Sequence, residues 1–169
     1  MNVSLREATA ADSEPIAEVL LASHKAFLAF APGPYSDEEV RHWVRDVLLP
    51  SEEVTVAVAQ GSVIGVLAVN RVDGMSWVTQ LYLHPSHVGL GIGSTLLAEA
   101  VARLPLPIRL YTFQQNSGAR RFYERNGFSA IQFTDGSTNL ERCPDVLYEK
   151  SRPSQGNVAP PLSGIPSGG

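Results

Sequence analysis

Apolar residues recur along this chain with two periods, near two and near 3.6, and the places where one gives way to the other outline its elements. Val3–Ala8 predicts a short edge strand. After Thr9-Ala-Ala-Asp12, a capping sequence, Ile16, Val19, Leu20, Ser23 and Phe27 fall on one helical stripe, which Ala31-Pro-Gly-Pro34 breaks. Ser36 with Glu39 three residues later forms a capping box. The helix it opens carries Val40, Trp43, Val44, Val47 and Leu48 inward and stops at Pro50. Glu53–Ala59 and Val63–Asn70 read as strands around the hairpin signal Gln60-Gly61-Ser62, and Met75–Leu83 follows the Asp73-Gly74 turn. A glycine-rich loop then enters a helix with Leu96, Leu97, Ala100, Val101 and Leu104 on its apolar face. Ile108–Thr112 is a strand, Asn116–Asn126 a helix closed by Gly127, and Phe128–Thr134 and Val146–Lys150 are the last strands. The order β-α-α-β-β-β-α-β-α-β-β predicts an α/β chain: a mixed sheet with helices on its faces.

Composition narrows the function. At 169 residues the chain has room for one domain with a real core, assigned to residues 1–150. Of the nineteen residues 151–169, twelve are Pro, Gly or Ser, which predicts a disordered tail. A net charge of −4 argues against nucleic acid as a partner. The single cysteine, Cys143, excludes an intrachain disulfide framework and a thiolate-rich metal cluster. No apolar run is long enough to cross a membrane, and the opening MNVSLREATAADSEP lacks a secretory pattern. A cytoplasmic enzyme or binding protein is the expectation.

The chemistry concentrates in Gln80–Leu97, where a strand ends, Gly89, Gly91 and Gly93 alternate with other residues, and a helix begins. Such a loop lets the backbone approach a ligand, and the first helical turn offers unpaired amides at the positive end of the dipole. The product is an anion site suited to a diphosphate. A P-loop would need Gly-Lys-Ser/Thr, but Ser94 follows Gly93 directly; a dinucleotide fingerprint would need G-x-G-x-x-G in the first βα unit.

The segment resembles the acetyl-CoA motif of the GNAT superfamily of N-acetyltransferases, Arg/Gln-x-x-Gly-x-Gly/Ala, with Val88 standing at the Arg/Gln position. Asn116-Ser-Gly-Ala-Arg-Arg-Phe-Tyr-Glu-Arg-Asn-Gly-Phe128 is similar to a second motif of the family, Asn-x-x-Ala-x-x-Phe-Tyr-x-x-x-Gly-Phe. The resemblance implies a mixed, mostly antiparallel sheet whose fourth and fifth strands splay, with about four helices. Acetyl-CoA would enter the split and no metal would be needed. It further implies that Tyr82 and Leu83 flank the pantetheine, that the stretch Val88, Gly89, Leu90, Gly91, Ile92, Gly93 and Ser94 cradles the diphosphate, and that Asn116 lies near the thiol. Tyr123 matches the tyrosine that protonates the departing sulfur. A homodimer is compatible with the family.

The implied reaction is direct attack of a primary amine of a small molecule or peptide on the thioester. A simple thiol has a pKa around 8.5 and tyrosine around 10, so Tyr123 suits a donor that completes transfer as sulfur charge develops. An alkylammonium is deprotonated only about once in 2,500 at pH 7, so a base or water relay is needed. Some family members carry a carboxylate on the fourth strand where this chain has Trp77. His24 and His42 read as helix-surface residues, Glu141, Asp145 and Glu149 as a solvated acidic rim, and Arg120, Arg121 and Arg125 as a solvated basic face paired with Glu124. The acceptor pocket is expected between Phe27–Tyr35 and Gly136–Asp145. The alternative is a non-catalytic acyl-CoA-binding or interaction module, and a nucleotide-binding regulator is a third reading.

Overall fold

The computed structural model describes residues 1–153, so most of the tail assigned to 151–169 lies outside the described residues. Seven strands form one sheet in the order β1-β2-β3-β4-β5-β7-β6. They are β1 (Val3–Glu7), β2 (Glu53–Ala59), β3 (Ser62–Val72), β4 (Met75–Leu83), β5 (Ile108–Phe113), β6 (Ser129–Phe133) and β7 (Asp145–Lys150). All neighbours are antiparallel except β4 and β5. The two-residue turn between β2 and β3 places Gln60 at φ 51° and Gly61 at φ 77°, the twist that suits antiparallel strands.

Four main helices cover the faces: α1 (Ser13–Phe27), α2 (Asp37–Trp43), α3 (Ile92–Arg103) and α4 (Ser117–Arg125). On one face, Ile16, Val19 and Leu20 of α1 and Val44 and Leu48 pack on Val54, Val56, Val66 and Ala68. On the other, Leu96, Leu97 and Ala100 of α3 and Tyr123 of α4 pack on Leu67, Val69, Val78, Ile108 and Tyr148. Ser36 caps α2 as expected: its hydroxyl accepts from the Glu39 amide at 3.2 Å, and the Glu39 carboxylate accepts from the Ser36 amide at 2.7 Å.

The second helix departs from expectation. It passes into a π-helical stretch, Val44–Leu48, and one further turn, Leu49–Ser51, so Pro50 does not end it. The wider turn rotates the stripe by one residue. Val44 and Leu48 stay buried, whereas Val47, expected inside, is 48% exposed.

Candidate active site

The sheet opens where its parallel pair fails. β4 and β5 pair only through Ser76 with Ile108 and Trp77 with Arg109. The stacked rings of Trp77 and Tyr111, 5.8 Å apart, close the paired end. Beyond them the strands splay, leaving Val78–Leu83 without partners on that side. On its other edge β4 carries an irregularity against β3 between Ala68 and Val69, which shifts the register beside Thr79. The hydroxyl of Thr79 donates to Glu52 there, a carboxylate that the sequence does not flag and that lines neither cavity described below.

A groove of about 530 Å³ runs from the split toward α3 and α4. Its walls include Tyr82 and Leu83 from β4, Val88, Gly89, Gly91, Gly93 and Ser94 from the loop and first turn of α3, and Asn116, Tyr123 and Arg125 from α4 and its cap. The sequence-expected set therefore converges, with two exceptions in side-chain placement. Leu90 points to solvent and Ile92 is buried in the core, so these two contribute only main chain. Gly91, the α3 N-cap, has φ 79°, a left-handed conformation that excludes most side chains. A Cβ there would meet no protein atom within 4 Å, so the loop presents open backbone. Gly93 lies against α4, where a Cβ would meet the Phe122 ring at 3.4 Å, an ordinary packing distance. None of the amides from Gly89 to Ser94 donates to a turn or cap acceptor among the described residues. These unpaired donors at the positive end of α3 fit a diphosphate. Val88 is 44% exposed and supplies no charge, whereas the Arg125 guanidinium supplies one at the α4 side of the groove.

Tyr123 is 8% exposed and packs among Phe122, Phe128 and Tyr148 at ring distances of 5.2 to 6.0 Å. Burial, with a smaller contribution from Tyr82, pushes its pKa well above the ordinary tyrosine value, and no hydrogen bond among the described residues holds its hydroxyl. It is therefore a neutral, free donor facing the groove. Asn116 caps α4 by accepting from the Ala119 amide at 3.1 Å, which orients the helix that carries Tyr123. The basic residues of α4 divide. Arg120 donates to the Tyr148 hydroxyl at 3.1 Å and lies over the Phe133 ring, and that hydroxyl donates to Glu124 at 2.9 Å. Arg120 thus pins α4 to the sheet rather than facing water with Glu124.

On the other side of the split is a cavity of about 400 Å³, lined by His24, Tyr82, Tyr111, Thr112, Phe113, Thr134, Thr138, Asn139, Glu141 and Asp145. Tyr82, Tyr111, Thr112 and Phe113 line both spaces, so the two meet at the splayed strands. The lining contains two carboxylates and no lysine or arginine. Asp145 is buried and accepts from the Thr134 hydroxyl and from Asn139 Nδ2. Glu141 has no hydrogen-bonding partner among the described residues. The solvated rim is thus corrected: Glu141 and Asp145 face a cavity, whereas Glu149 accepts from Arg109 at 2.7 Å. His24 is corrected too. It is half-buried, its ring centroid 6.0 Å from that of Tyr82, and burial holds its pKa below the usual imidazole value against a smaller opposite effect of Glu141. Burial, then Glu141, pushes Tyr82 up to about 12. Of the stretch Phe27–Tyr35, Phe27 at the end of α1 and Leu28 after it reach the groove, while Pro32, Gly33, Pro34 and Tyr35 line neither space. No group of metal-ligating side chains occurs among the described residues.

A sheet split between parallel strands, with open amides at a strand-to-helix loop beside it, defines the acyltransferase fold that the two sequence motifs anticipate. The chain belongs to the acetyltransferase (GNAT) family, whose profile residues 20–128 match, and it is an acetyltransferase. It is 30% identical to the spermidine N(1)-acetyltransferase of Thermoplasma acidophilum, over 89% of this chain and 98% of the relative. Its fold matches the crystal structure of the PaiA N-acetyltransferase of Thermoplasma acidophilum in complex with coenzyme A, with a TM-score of 0.71 and 26% identity, covering 90% of this chain and all of the other. The solution structure of apo YjaB from Escherichia coli shares the fold, with a TM-score of 0.71 at 22% identity over 89% of this chain and 98% of that one.

Proposed function

We propose that the protein transfers the acetyl group of acetyl-CoA to a primary amine of a small cationic molecule, by direct attack across the split between β4 and β5. The observation that carries this reading is the meeting of two unlike spaces at one place. The groove with open amides and the Tyr123 hydroxyl suits the thioester, and the cavity with Glu141 and Asp145 suits an ammonium ion. The spermidine acetyltransferase among the relatives supports a polycationic acceptor.

In this reading the amides of Gly89–Ser94 and the Arg125 guanidinium bind the coenzyme phosphates. The exposed edge of Val78–Leu83 pairs with the pantetheine amides. The acetyl carbonyl then points into the shared wall. The nitrogen–carbon bond forms from the cavity side, the carbon–sulfur bond breaks, and Tyr123 gives its proton to sulfur. Burial opposes a phenolate at Tyr123, and the same surroundings oppose a bare thiolate, so proton delivery keeps pace with bond breaking. A cytoplasmic location goes with this chemistry, and the free thiol of Cys143 suits a reducing compartment.

Incubation with acetyl-CoA and spermidine, spermine, putrescine or n-propylamine tests the reading by release of free thiol. Turnover is expected, faster with the polyamines than with n-propylamine. Tight acetyl-CoA binding without turnover on any of these amines would favour a binding module instead.

A further inference from the structure

We propose that His24 is the general base of this reaction, taking a proton from the acceptor ammonium in the cavity formed by α1, β4, β5 and the segment entering β7. The proposal rests on the acetyl-transfer reading above. It names a group for the step that the missing fourth-strand carboxylate leaves open, since Trp77 occupies that position and stacks on Tyr111.

His24 stands near the C-terminal end of α1, half-buried, and forms one wall of the 400 Å³ cavity. Its neighbour across that wall, Tyr82, also lines the groove, so an amine held beside His24 lies at the junction where the thioester carbonyl arrives. No hydrogen bond among the described residues occupies the imidazole. The other histidines and Glu52 fail on placement. His84 lines neither space, its Nδ1 lying 2.6 Å from Ser86 Oγ, and His42 is an exposed residue that sits 3.9 Å from Glu38. Glu52 touches Thr79 but reaches neither cavity.

The titratable groups facing His24 are Tyr82 on β4, Tyr111 on β5, and Glu141 and Asp145 at and before β7. On α2, Arg41 pairs with Glu14 and Glu18 of earlier α1 turns, and Lys25 beside His24 is exposed. Burial keeps the imidazole neutral at pH 7, and Glu141 stabilises the imidazolium once the proton arrives. The protons balance. The ammonium gives one to His24, which passes it to water. The second proton leaves nitrogen as the amide forms and replaces the one that Tyr123 delivers to sulfur. The products are the acetamide, free coenzyme A thiol and one solvent proton.

The test is the pH dependence of kcat/KM for spermidine, or for whichever of the four amines above turns over fastest. The native enzyme should show an acid limb below the ordinary histidine pKa and a plateau from about pH 7 upward, as a base titrating below that value requires. His24→Asn should lower kcat/KM at pH 7 by about 100-fold, abolish the plateau so that the rate climbs with hydroxide, and recover in part with added imidazole. Its acetyl-CoA affinity by titration calorimetry should stay native. Glu141→Gln should move the acid limb to lower pH while retaining it, since the carboxylate raises the His24 pKa. A His24→Asn enzyme that keeps the native rate, or loses rate yet keeps the native limb without imidazole rescue, overturns the base and leaves the acetyltransferase reading standing. A native enzyme that releases no thiol with any of the amines overturns both.

Discussion

At the scale of single residues, the proposed reaction puts its heaviest demand on Tyr123. Its ring is locked among three aromatic neighbours, and its hydroxyl is the part that packing does not use. Tyr123→Phe therefore keeps the core and removes the donor. The expected result is a kcat lower by about tenfold or more with native acetyl-CoA affinity, measured by thiol release and calorimetry. Asp12 shows a residue serving stability instead. It is buried, takes two hydrogen bonds from Arg6 at 2.8 and 2.9 Å, and accepts the Thr9 amide at 2.7 Å. These contacts, the Arg6 guanidinium foremost, hold its pKa down to about 2 from 3.8. A depressed carboxyl pKa stabilises the folded state above the unfolded value and ceases to do so as pH falls through the folded one. Because Arg6 is half in water, Asp12→Asn should cost about 1–2 kcal/mol at pH 7. In urea melts the gap between the two proteins should close between pH 4 and pH 2.

At the scale of elements, the loop from Gly89 to the first turn of α3 is where backbone does what side chains do elsewhere. Gly91→Ala forces a methyl into φ 79°, which should cost about 1 kcal/mol of stability in a thermal melt. The same methyl stands in the open space above the amides, so acetyl-CoA affinity should fall by about tenfold. The loop was legible in the sequence because its signal is local: a strand, alternating glycines, a helix. The Ser36–Glu39 capping box and the hairpin turn at Gln60-Gly61 were legible for the same reason. Val47 was not, because a π turn is a helix-wide compromise between stripe and length that periodicity does not encode. His24 was not, because the cavity that claims it closes only when Thr134–Asp145 folds back over β5, more than a hundred residues later. Glu52 lies likewise outside any motif and meets Thr79 only because β2 and β4 both pair with β3.

At the scale of the whole molecule, the sheet separates two kinds of surface. α3 and α4 supply free amides and Arg125, whereas α1 and the residues before β7 supply a histidine and two carboxylates. The split between β4 and β5 is the passage between them. In the proposed reaction such a division would sort the two substrates by charge, anionic coenzyme to one side and cationic amine to the other. Glu141→Gln should raise KM for spermidine about fivefold while leaving KM for acetyl-CoA unchanged, in steady-state thiol release at low salt.

In the proposed reaction, open backbone at Gly89–Ser94 grips the coenzyme diphosphate and delivers the acyl group to the split. Titration of the 15N-labelled protein with coenzyme A, followed by amide NMR, reads those atoms directly. The largest saturating shifts are expected at the Gly89, Gly91, Gly93 and Ser94 amides, with a second set along Leu81–Leu83. Unmoved resonances at these amides with millimolar coenzyme A, or shifts confined to another face, would contradict that role of the loop.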